Sequence, residues 1–197
     1  MMTIFLSRHG RTDWSVRGLY TGVTDVELDE TGHEQAARLA RWAGTAGLTA
    51  VVSSPMIRAV QTATGAAEAA GVPLRTDARL RELDFGVAEG LPRGEIDPDV
   101  MAAFEADPVA NFLPGGEDPI RAAERVTACL GELAAEAGPV LVVAHNTILR
   151  LALCGLLGIP LADYRRRLPL VEHDAVTELR PYPGGMALRR FNAPLGP

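Results

Sequence analysis

Two histidines and two arginines stand where the sequence predicts the ends of buried strands. Arg8 and His9 follow the first apolar run of the chain, and His145 follows a late one. Arg58 lies one turn into the helix predicted after a third run. A neutral imidazole is a nucleophile near pH 7, whereas a guanidinium stays charged and holds oxyanions in bidentate fashion. Together these side chains suit attack on a phosphorus atom rather than on a carbonyl carbon.

The apolar runs that precede these residues predict the elements that position them. The runs cover residues 3–7, 49–55 and 139–144, and they are rich in apolar and β-branched residues. Strands of that kind are buried on both faces, as in a parallel sheet covered by helices. The carboxyl ends of such strands share one edge, so the four side chains are expected to converge there. The backbone N–H groups of the helix after His145 are expected to add positive charge to the same site.

Cleavage of a phosphate ester also requires an acid that protonates the leaving alcohol. Glu82, just before an irregular stretch of the chain, is the candidate, and Asp84 is the alternative. A carboxylic acid serves in this role only where burial or neighbouring groups hold its proton. The competing interpretation makes Glu82 a surface residue that pairs with Arg79 or Arg81.

Composition limits the classes of function. The chain has 197 residues, 47% hydrophobic and 22% charged, which suits one globular domain. Its net charge of −6 argues against nucleic acid as a partner, while the bunching of arginines near the predicted strand ends favours a small anionic ligand. The apolar stretches are too short to span a membrane, and the first apolar run is not expected to be a signal peptide. Cys129 and Cys154 are expected to be buried thiols in a reducing cytoplasm.

The order of predicted elements favours an α/β fold, a three-layer α/β/α sandwich with a mostly parallel central sheet. Thr31 is the predicted N-cap of one helix, and Ser54 before Pro55 is the predicted N-cap of the next. Residues 85–118, rich in glycine and proline, are expected to form a lid-like insertion in a single domain over 1–197. The tail predicts an edge hairpin, and pairing of that edge with a second copy leaves a homodimer as an open alternative.

Six segments in sequence order carry a resemblance that covers nearly the whole chain. They are Arg8–Thr12 with Trp14, Gly22–Gly32, Ser53–Ala63, Leu80–Glu82, Pro114–Glu117 and Val142–His145. In these segments the chain resembles the histidine phosphatase superfamily, in its phosphoglycerate-mutase-like branch. The resemblance implies that His9 is the nucleophile that becomes a phosphohistidine and that Glu82 is the proton donor. It also implies that Arg8, Arg58 and His145 hold the phosphate.

The chain departs from the family's pattern at several positions. Ser15 stands where the family usually has a phosphate-holding asparagine, and Asn146 replaces the glycine after the second histidine. The other departures are Leu19 for an arginine, Ala88 for a tryptophan and His173-Asp174-Ala175 for an Asn-x-Ser. These departures do not affect the five residues with the central roles, which are Arg8, His9, Arg58, Glu82 and His145. They bear on phosphate affinity and turnover rate.

The resemblance implies a phosphatase that hydrolyses a small-molecule phosphate monoester with no metal or other cofactor. Two alternatives stay open: a phosphoglycerate mutase, and a repurposed member that binds an anion with weak or no phosphatase activity. The expected partner is a small phosphorylated metabolite. The expected substrate-binding set is Arg8, Arg58, His145, Ser15, Thr21, Gly22 and Asn146.

Overall fold

A computed structural model describes residues 2–196, and a six-stranded mixed sheet forms its centre. The strands are β1 (Ile4–Arg8), β2 (Ala50–Ser53), β3 (Leu74–Thr76), β4 (Val140–Ala144), β5 (Ala175–Tyr182) and β6 (Gly185–Pro194). Their order across the sheet is β3-β2-β4-β1-β5-β6. The first four are parallel, and β5 and β6 form an antiparallel hairpin at one edge. The predicted mostly parallel sheet and edge hairpin are therefore confirmed.

Helices cover both faces of this sheet. They are α1 (Asp13–Val16), α2 (Glu30–Ala43), α3 (Ile57–Ala70), α4 (Pro98–Ala106), α5 (Pro119–Leu133), α6 (Asn146–Leu157) and α7 (Tyr164–Arg167). In β4, Leu141 and Val143 join the apolar cluster of α2 and α3, whereas Val140 and Val142 join that of α5 and α6. Successive strand residues point to opposite faces, so one apolar strand supplies both clusters. The predicted three-layer sandwich is confirmed.

The N-caps predicted for α2 and α3 are wrong. Asp29 caps α2, accepting from the Gly32 N–H at 2.7 Å, because the helix starts two residues before the predicted boundary. The helix α3 starts at Ile57, and Asp25 from a distant loop accepts from the Ile57 N–H at 2.8 Å. The Ser54 hydroxyl accepts from the Met56 N–H at 3.3 Å, just before the helix, and also lies 2.7 Å from the His145 ring. Ser54 therefore connects the start of α3 to His145 without being the N-cap.

The strands β1 and β4 end side by side. Arg8 lies opposite Ala144 in the parallel register, and the His9 N–H donates to the Ala144 carbonyl at 3.0 Å. His9 and His145 are each the first residue beyond their strand. The parallel register therefore places the two imidazoles next to each other at one edge of the sheet.

Residues 85–118 leave this edge as short 3-10 turns and α4, and then return to it. The two ends of the segment meet, since the Glu117 N–H donates to the Asp84 carbonyl at 3.0 Å. Gly86, with φ of +52°, lies against the backbone of residues 114–116, where a Cβ atom would clash. This close approach fixes how the segment enters and leaves the sheet edge.

Cys129 and Cys154 are free and buried, as the sequence predicts. Burial raises the pKa of the Cys129 thiol to about 12 and that of Cys154 to about 11. Within residues 2–196, none of the helices combines the length and apolar character that crossing a bilayer requires.

Candidate active site

A cleft with a volume of about 340 Å³ opens at the carboxyl edge of β1 and β4. Six of the residues predicted from the sequence line it: Arg8, His9, Ser15, Thr21, Glu82 and Asn146. The other three, Arg58, His145 and Gly22, lie outside this lining and connect to the site through side-chain and backbone contacts described below. The fold thus brings residues from five separate segments to one place.

His9 is held with one ring nitrogen committed and the other free to react. Its Nδ1 lies 2.7 Å from the Gly10 carbonyl oxygen. A carbonyl only accepts hydrogen bonds, so Nδ1 carries the proton and Nε2 keeps its lone pair. The Gly10 N–H in turn donates to Thr62 at 2.9 Å, which ties the loop to α3. The residue is 6% exposed and lines the cleft, and Nε2 is the ring nitrogen left with a free lone pair.

His145 lies beside His9, with 5.1 Å between the ring centroids. It is fully buried, and its Nε2 is 2.7 Å from the Ser54 hydroxyl. Its Nδ1 has no hydrogen-bond partner among the described residues. The ring is therefore fixed from one side, and its second nitrogen is available to a ligand.

Arg8 and Arg58 are each anchored through terminal nitrogens by carbonyl groups rather than by carboxylates. Arg8 donates to the Val171 carbonyl at 3.1 Å. Arg58, which is fully buried, donates to the carbonyls of Gly22 and Thr24 at 2.8 and 2.9 Å. Neither forms an ion pair within residues 2–196. Both guanidinium charges therefore remain available to an anion.

Buried polar atoms without a hydrogen-bond partner are concentrated on Arg8, Arg58 and His145. Five buried side-chain nitrogen or oxygen atoms of the described residues lack a hydrogen-bond partner, and three belong to Arg8, Arg58 and His145. Buried polar groups in native proteins are almost always paired, and each such exception calls for an explanation. An oxyanion seated between these residues would accept from the two Nε–H groups and contact the His145 ring. The arrangement is therefore that of an anion cradle next to a nucleophile.

Burial and neighbouring cations keep the imidazoles neutral. Burial, followed by the charges of neighbouring His145, Arg58 and Arg8, holds the pKa of His9 well below 6.5. Burial and the same two arginines lower the pKa of His145 in the same way. Burial also lowers the pKa of Arg8, to about 10, which leaves it charged at neutral pH. The site thus combines neutral imidazoles with permanent positive charge.

Acidification below pH 6.5 should destabilise the folded protein. Folding keeps His9, His145 and His173 neutral, with the pKa of His173 lowered to about 4 by burial, while the unfolded chain protonates them below about 6.5. Their contribution to the free energy of unfolding is complete above pH 6.5 and is lost as the pH falls toward the folded-state pKa values. The loss amounts to up to about 1 kcal/mol per histidine per pH unit. Urea unfolding between pH 7 and pH 5 measures this slope.

The control for this experiment is the exposed His33, in the first turn of α2. H33A should leave the slope unchanged, and H173N should reduce it by about one histidine's share. Asp77, whose pKa hydrogen bonds from Arg79 lower to about 2, titrates below this pH range and does not contribute to the slope. A free energy of unfolding that stays constant from pH 7 to pH 5 would contradict neutral burial of the three imidazoles.

Glu82 occupies the N-terminus of α6. Its carboxylate accepts from the N–H groups of Thr147 and Ile148, at 2.9 and 2.8 Å, and from Leu83 at 2.9 Å. The residue is 4% exposed, so the competing interpretation as a surface ion pair is wrong. The expectation that the α6 N–H groups face the ligand is also corrected, because a carboxylate from a distant loop already uses two of them. Glu82 lines the cleft from this fixed position.

The remaining predicted binding residues have internal partners. Ser15 donates its hydroxyl proton to the Thr12 carbonyl at 2.8 Å and accepts from the Thr12 N–H at 3.0 Å, which caps α1. Thr21 donates to the Leu19 carbonyl at 3.1 Å. The Asn146 Oδ1 accepts from the Val171 N–H at 3.0 Å, so its amide nitrogen is the end left for a ligand. Gly22 acts through its carbonyl, which holds Arg58.

His173 is a site residue to which the sequence assigned no role. Its Nδ1 lies 2.6 Å from the His9 carbonyl oxygen, and its ring is edge-on to the His9 ring at 5.7 Å. The sequence signal was its departure from the family pattern just before the late hairpin. Only the antiparallel pairing of β5 with β1 brings that position to the nucleophile.

Two arginines on the cleft wall were missed, Arg150 and Arg165, whereas Arg93 belongs to the arginines whose bunching near the predicted strand ends favoured an anionic ligand. Arg150 carries a recognisable signal, since it lies four residues after Asn146 and therefore on the same face of α6. Arg165 comes from α7, and its sequence position does not indicate that it shares a site with the other predicted residues.

Comparison with known proteins identifies the family to which the chain belongs. The model of the histidine phosphatase superfamily (branch 1) matches residues 4–194. A probable phosphoglycerate mutase, GpmB, of Yersinia pestis (strain Pestoides F) is 35% identical over 176 residues, which cover 86% of this chain and 81% of that protein.

Solved structures are similar over nearly the full length. A mycobacterial glucosyl-3-phosphoglycerate phosphatase is 30% identical, with a TM-score of 0.85 over 97% of this chain and 98% of that one. YhfR of Bacillus stearothermophilus is 26% identical, with a TM-score of 0.90 over 100% and 98%.

The sequence match and the fold lead to the same assignment. The match spans every segment that contributes a predicted site residue, from Arg8 to Asn146. The chain therefore belongs to the histidine phosphatase superfamily, branch 1.

Proposed function

We propose that the protein is a phosphatase that hydrolyses a small-molecule phosphate monoester through a phosphohistidine at His9. The observation that carries the proposal is the set of unpartnered buried nitrogens on Arg8, Arg58 and His145 beside a nucleophile with a free Nε2. Family membership and the phosphatase names of structural relatives support the same activity.

The first half-reaction transfers the phosphoryl group to the protein. The His9 Nε2 forms a bond to phosphorus as the ester P–O bond breaks, and Glu82 gives its proton to the leaving alkoxide oxygen. Arg8, Arg58 and His145 hold the three equatorial oxygens, where charge accumulates in the transition state. The Nδ1–H bond to the Gly10 carbonyl orients the ring throughout.

The second half-reaction restores the enzyme. Water attacks phosphorus while the Glu82 carboxylate takes its proton, and the P–N bond breaks to release inorganic phosphate. All positive charge in this scheme comes from side chains of the chain itself. Ser15, Thr21 and Asn146 are proposed to contact the substrate from the cleft wall, and Gly22 to fix Arg58. The single domain carries residues 85–118 as a lid-like segment over this cleft.

The mutase alternative has its own support, because relatives such as GpmB are named as probable phosphoglycerate mutases. A mutase must retain a bisphosphorylated intermediate between its two transfer steps. Residues 85–118 carry eight acidic side chains and one basic one, Arg93, and Arg93 is paired with Glu105. Residues 85–118 therefore supply no unpaired cation to retain a bisphosphorylated intermediate, so release of the first product is favoured and hydrolysis follows.

Two assays separate these functions. Purified protein with 4-nitrophenyl phosphate and with 3-phosphoglycerate should release inorganic phosphate. Incubation with 3-phosphoglycerate and a 2,3-bisphosphoglycerate primer should yield 2-phosphoglycerate much more slowly than phosphate. Faster isomerisation than phosphate release would establish the mutase. Calorimetric binding of inorganic phosphate with no turnover, and no acid-labile phosphoprotein after a denaturing quench, would establish the anion-binding alternative.

A further inference from the structure

The cleft continues beyond the phosphate cradle to a second group of cations. Besides Arg8, its wall includes Arg93, Arg150 and Arg165. These three come from residues 85–118, from α6 and from α7, so the tertiary fold assembles them. The protein as a whole has a net charge of −6, which makes a local cluster of positive charge at one cleft a feature in need of a ligand.

Arg165 stands apart within a run of three consecutive arginines in α7. Arg166 and Arg167 are exposed and pair with Asp163, at 3.8 and 3.0 Å. Arg165 instead lines the cleft, with its guanidinium carbon 5.0 Å above the centre of the Phe104 ring. Stacking on an aromatic face orients the planar group while leaving its N–H edge free to bind an oxyanion.

No acidic side chain of the described residues forms an ion pair with Arg165. Arg165 is close enough to Glu105 to interact with its charge, but that carboxylate already accepts two hydrogen bonds from Arg93, at 2.6 and 2.7 Å. The charge of Arg165 is therefore not neutralised within the protein.

Arg150 adds a second charge without an acidic partner. It is 4% exposed and donates to the carbonyls of Asn146 and Pro169 and to the Thr147 hydroxyl, at 3.2, 3.0 and 3.2 Å. Its guanidinium lies 4.9 Å from the centre of the Tyr164 ring. These contacts fix its position but leave its charge uncompensated. A buried cation of this kind costs free energy unless an anion binds nearby.

We propose that the natural substrate carries a second oxyanion, a carboxylate or a phosphoryl group, on the organic part that remains after phosphoryl transfer. Arg165 binds this group directly, and the fixed charge of Arg150 strengthens the attraction. The inference rests on the proposed phosphatase function and narrows its substrates to phosphate monoesters with an anionic remote end. Neutral alkyl phosphates would use the cradle alone.

A matched set of substrates tests this specificity. Propyl phosphate, 3-phosphooxypropanoate and propane-1,3-diol bisphosphate differ in their remote end only, and a five-carbon series covers a longer reach. The ratio to measure is kcat/KM for the preferred anionic ester divided by kcat/KM for the neutral ester of the same chain length. For the wild-type protein this ratio should be about ten or more, as expected for a charge-assisted contact. Comparison of the carboxylate substrate with the bisphosphate shows which of the two oxyanions the site prefers. The ratio should fall at high ionic strength.

The variant R165Q removes the charge while keeping a polar side chain of similar reach, and it should bring this ratio close to one. The matched control is R167Q, which removes a neighbouring charge that faces Asp163 rather than the cleft, and it should keep the wild-type ratio. A wild-type ratio near one at both chain lengths, or an unchanged ratio in R165Q, overturns the inference while leaving phosphatase activity established. Failure of the wild-type protein to hydrolyse any of these esters overturns the proposed function and the inference with it.

Discussion

His9→Ala should lower kcat for 4-nitrophenyl phosphate by about a thousandfold or more, because the nucleophile of the first half-reaction is lost. The residual reaction would require direct attack by water on the phosphorus atom. Quenching the wild-type protein during turnover of a radiolabelled substrate should trap an acid-labile, base-stable phosphoprotein. H9A should yield none.

The loss should be specific to chemistry rather than to binding or folding. Arg8, Arg58 and His145 remain in H9A, so calorimetry should still detect inorganic phosphate, as should thermal stabilisation by that ligand. The matched control is H33A, since His33 is exposed in the first turn of α2, and it should keep wild-type activity. Equal phosphate release by H9A and the wild-type protein would exclude His9 as the nucleophile.

Glu82→Gln should produce a loss that depends on the leaving group. For an alkyl phosphate, whose alkoxide needs a proton, the rate should fall by about 10²- to 10⁴-fold. For 4-nitrophenyl phosphate the first step should be affected far less, because the nitrophenolate leaves without protonation. Loss of the base that activates water should then make the phosphohistidine accumulate, which a burst of nitrophenolate release measures.

Asp84 provides the control for this prediction, because it was the alternative acid and lies two residues away. Its Oδ1 accepts from the Gly86 N–H at 2.8 Å, which gives it a role in the turn at the start of residues 85–118. D84N should therefore lower stability without changing the ratio of alkyl to aryl rates. If D84N rather than E82Q shows the leaving-group dependence, the acid is Asp84.

Local sequence patterns were sufficient for the architecture. The run that forms β4 is continuous in apolar residues, and those that form β1 and β2 are nearly so, which predicts burial on both faces. Parallel register then places the residues after these strands at one edge, so the proximity of His9 and His145 was predictable before any contact was known. The N-cap of α3 was not predictable in this way. Asp25 from a distant loop accepts from the Ile57 N–H, and the Ser54 hydroxyl contacts His145, so neither partner follows from the local pattern.

The sequence by itself predicted the layered α/β fold and the grouping of His9 with Arg8 and Arg58, since residue type and strand periodicity are local properties. The tertiary structure decided which polar atoms are already used: Ser15 bonds to the backbone of Thr12, the N-cap of α1, and Glu82 takes N–H groups of α6. It also decided that His173, Arg150 and Arg165 face the site. Hydrogen bonds and charges act between segments that are distant in sequence, so only the folded chain fixes their partners.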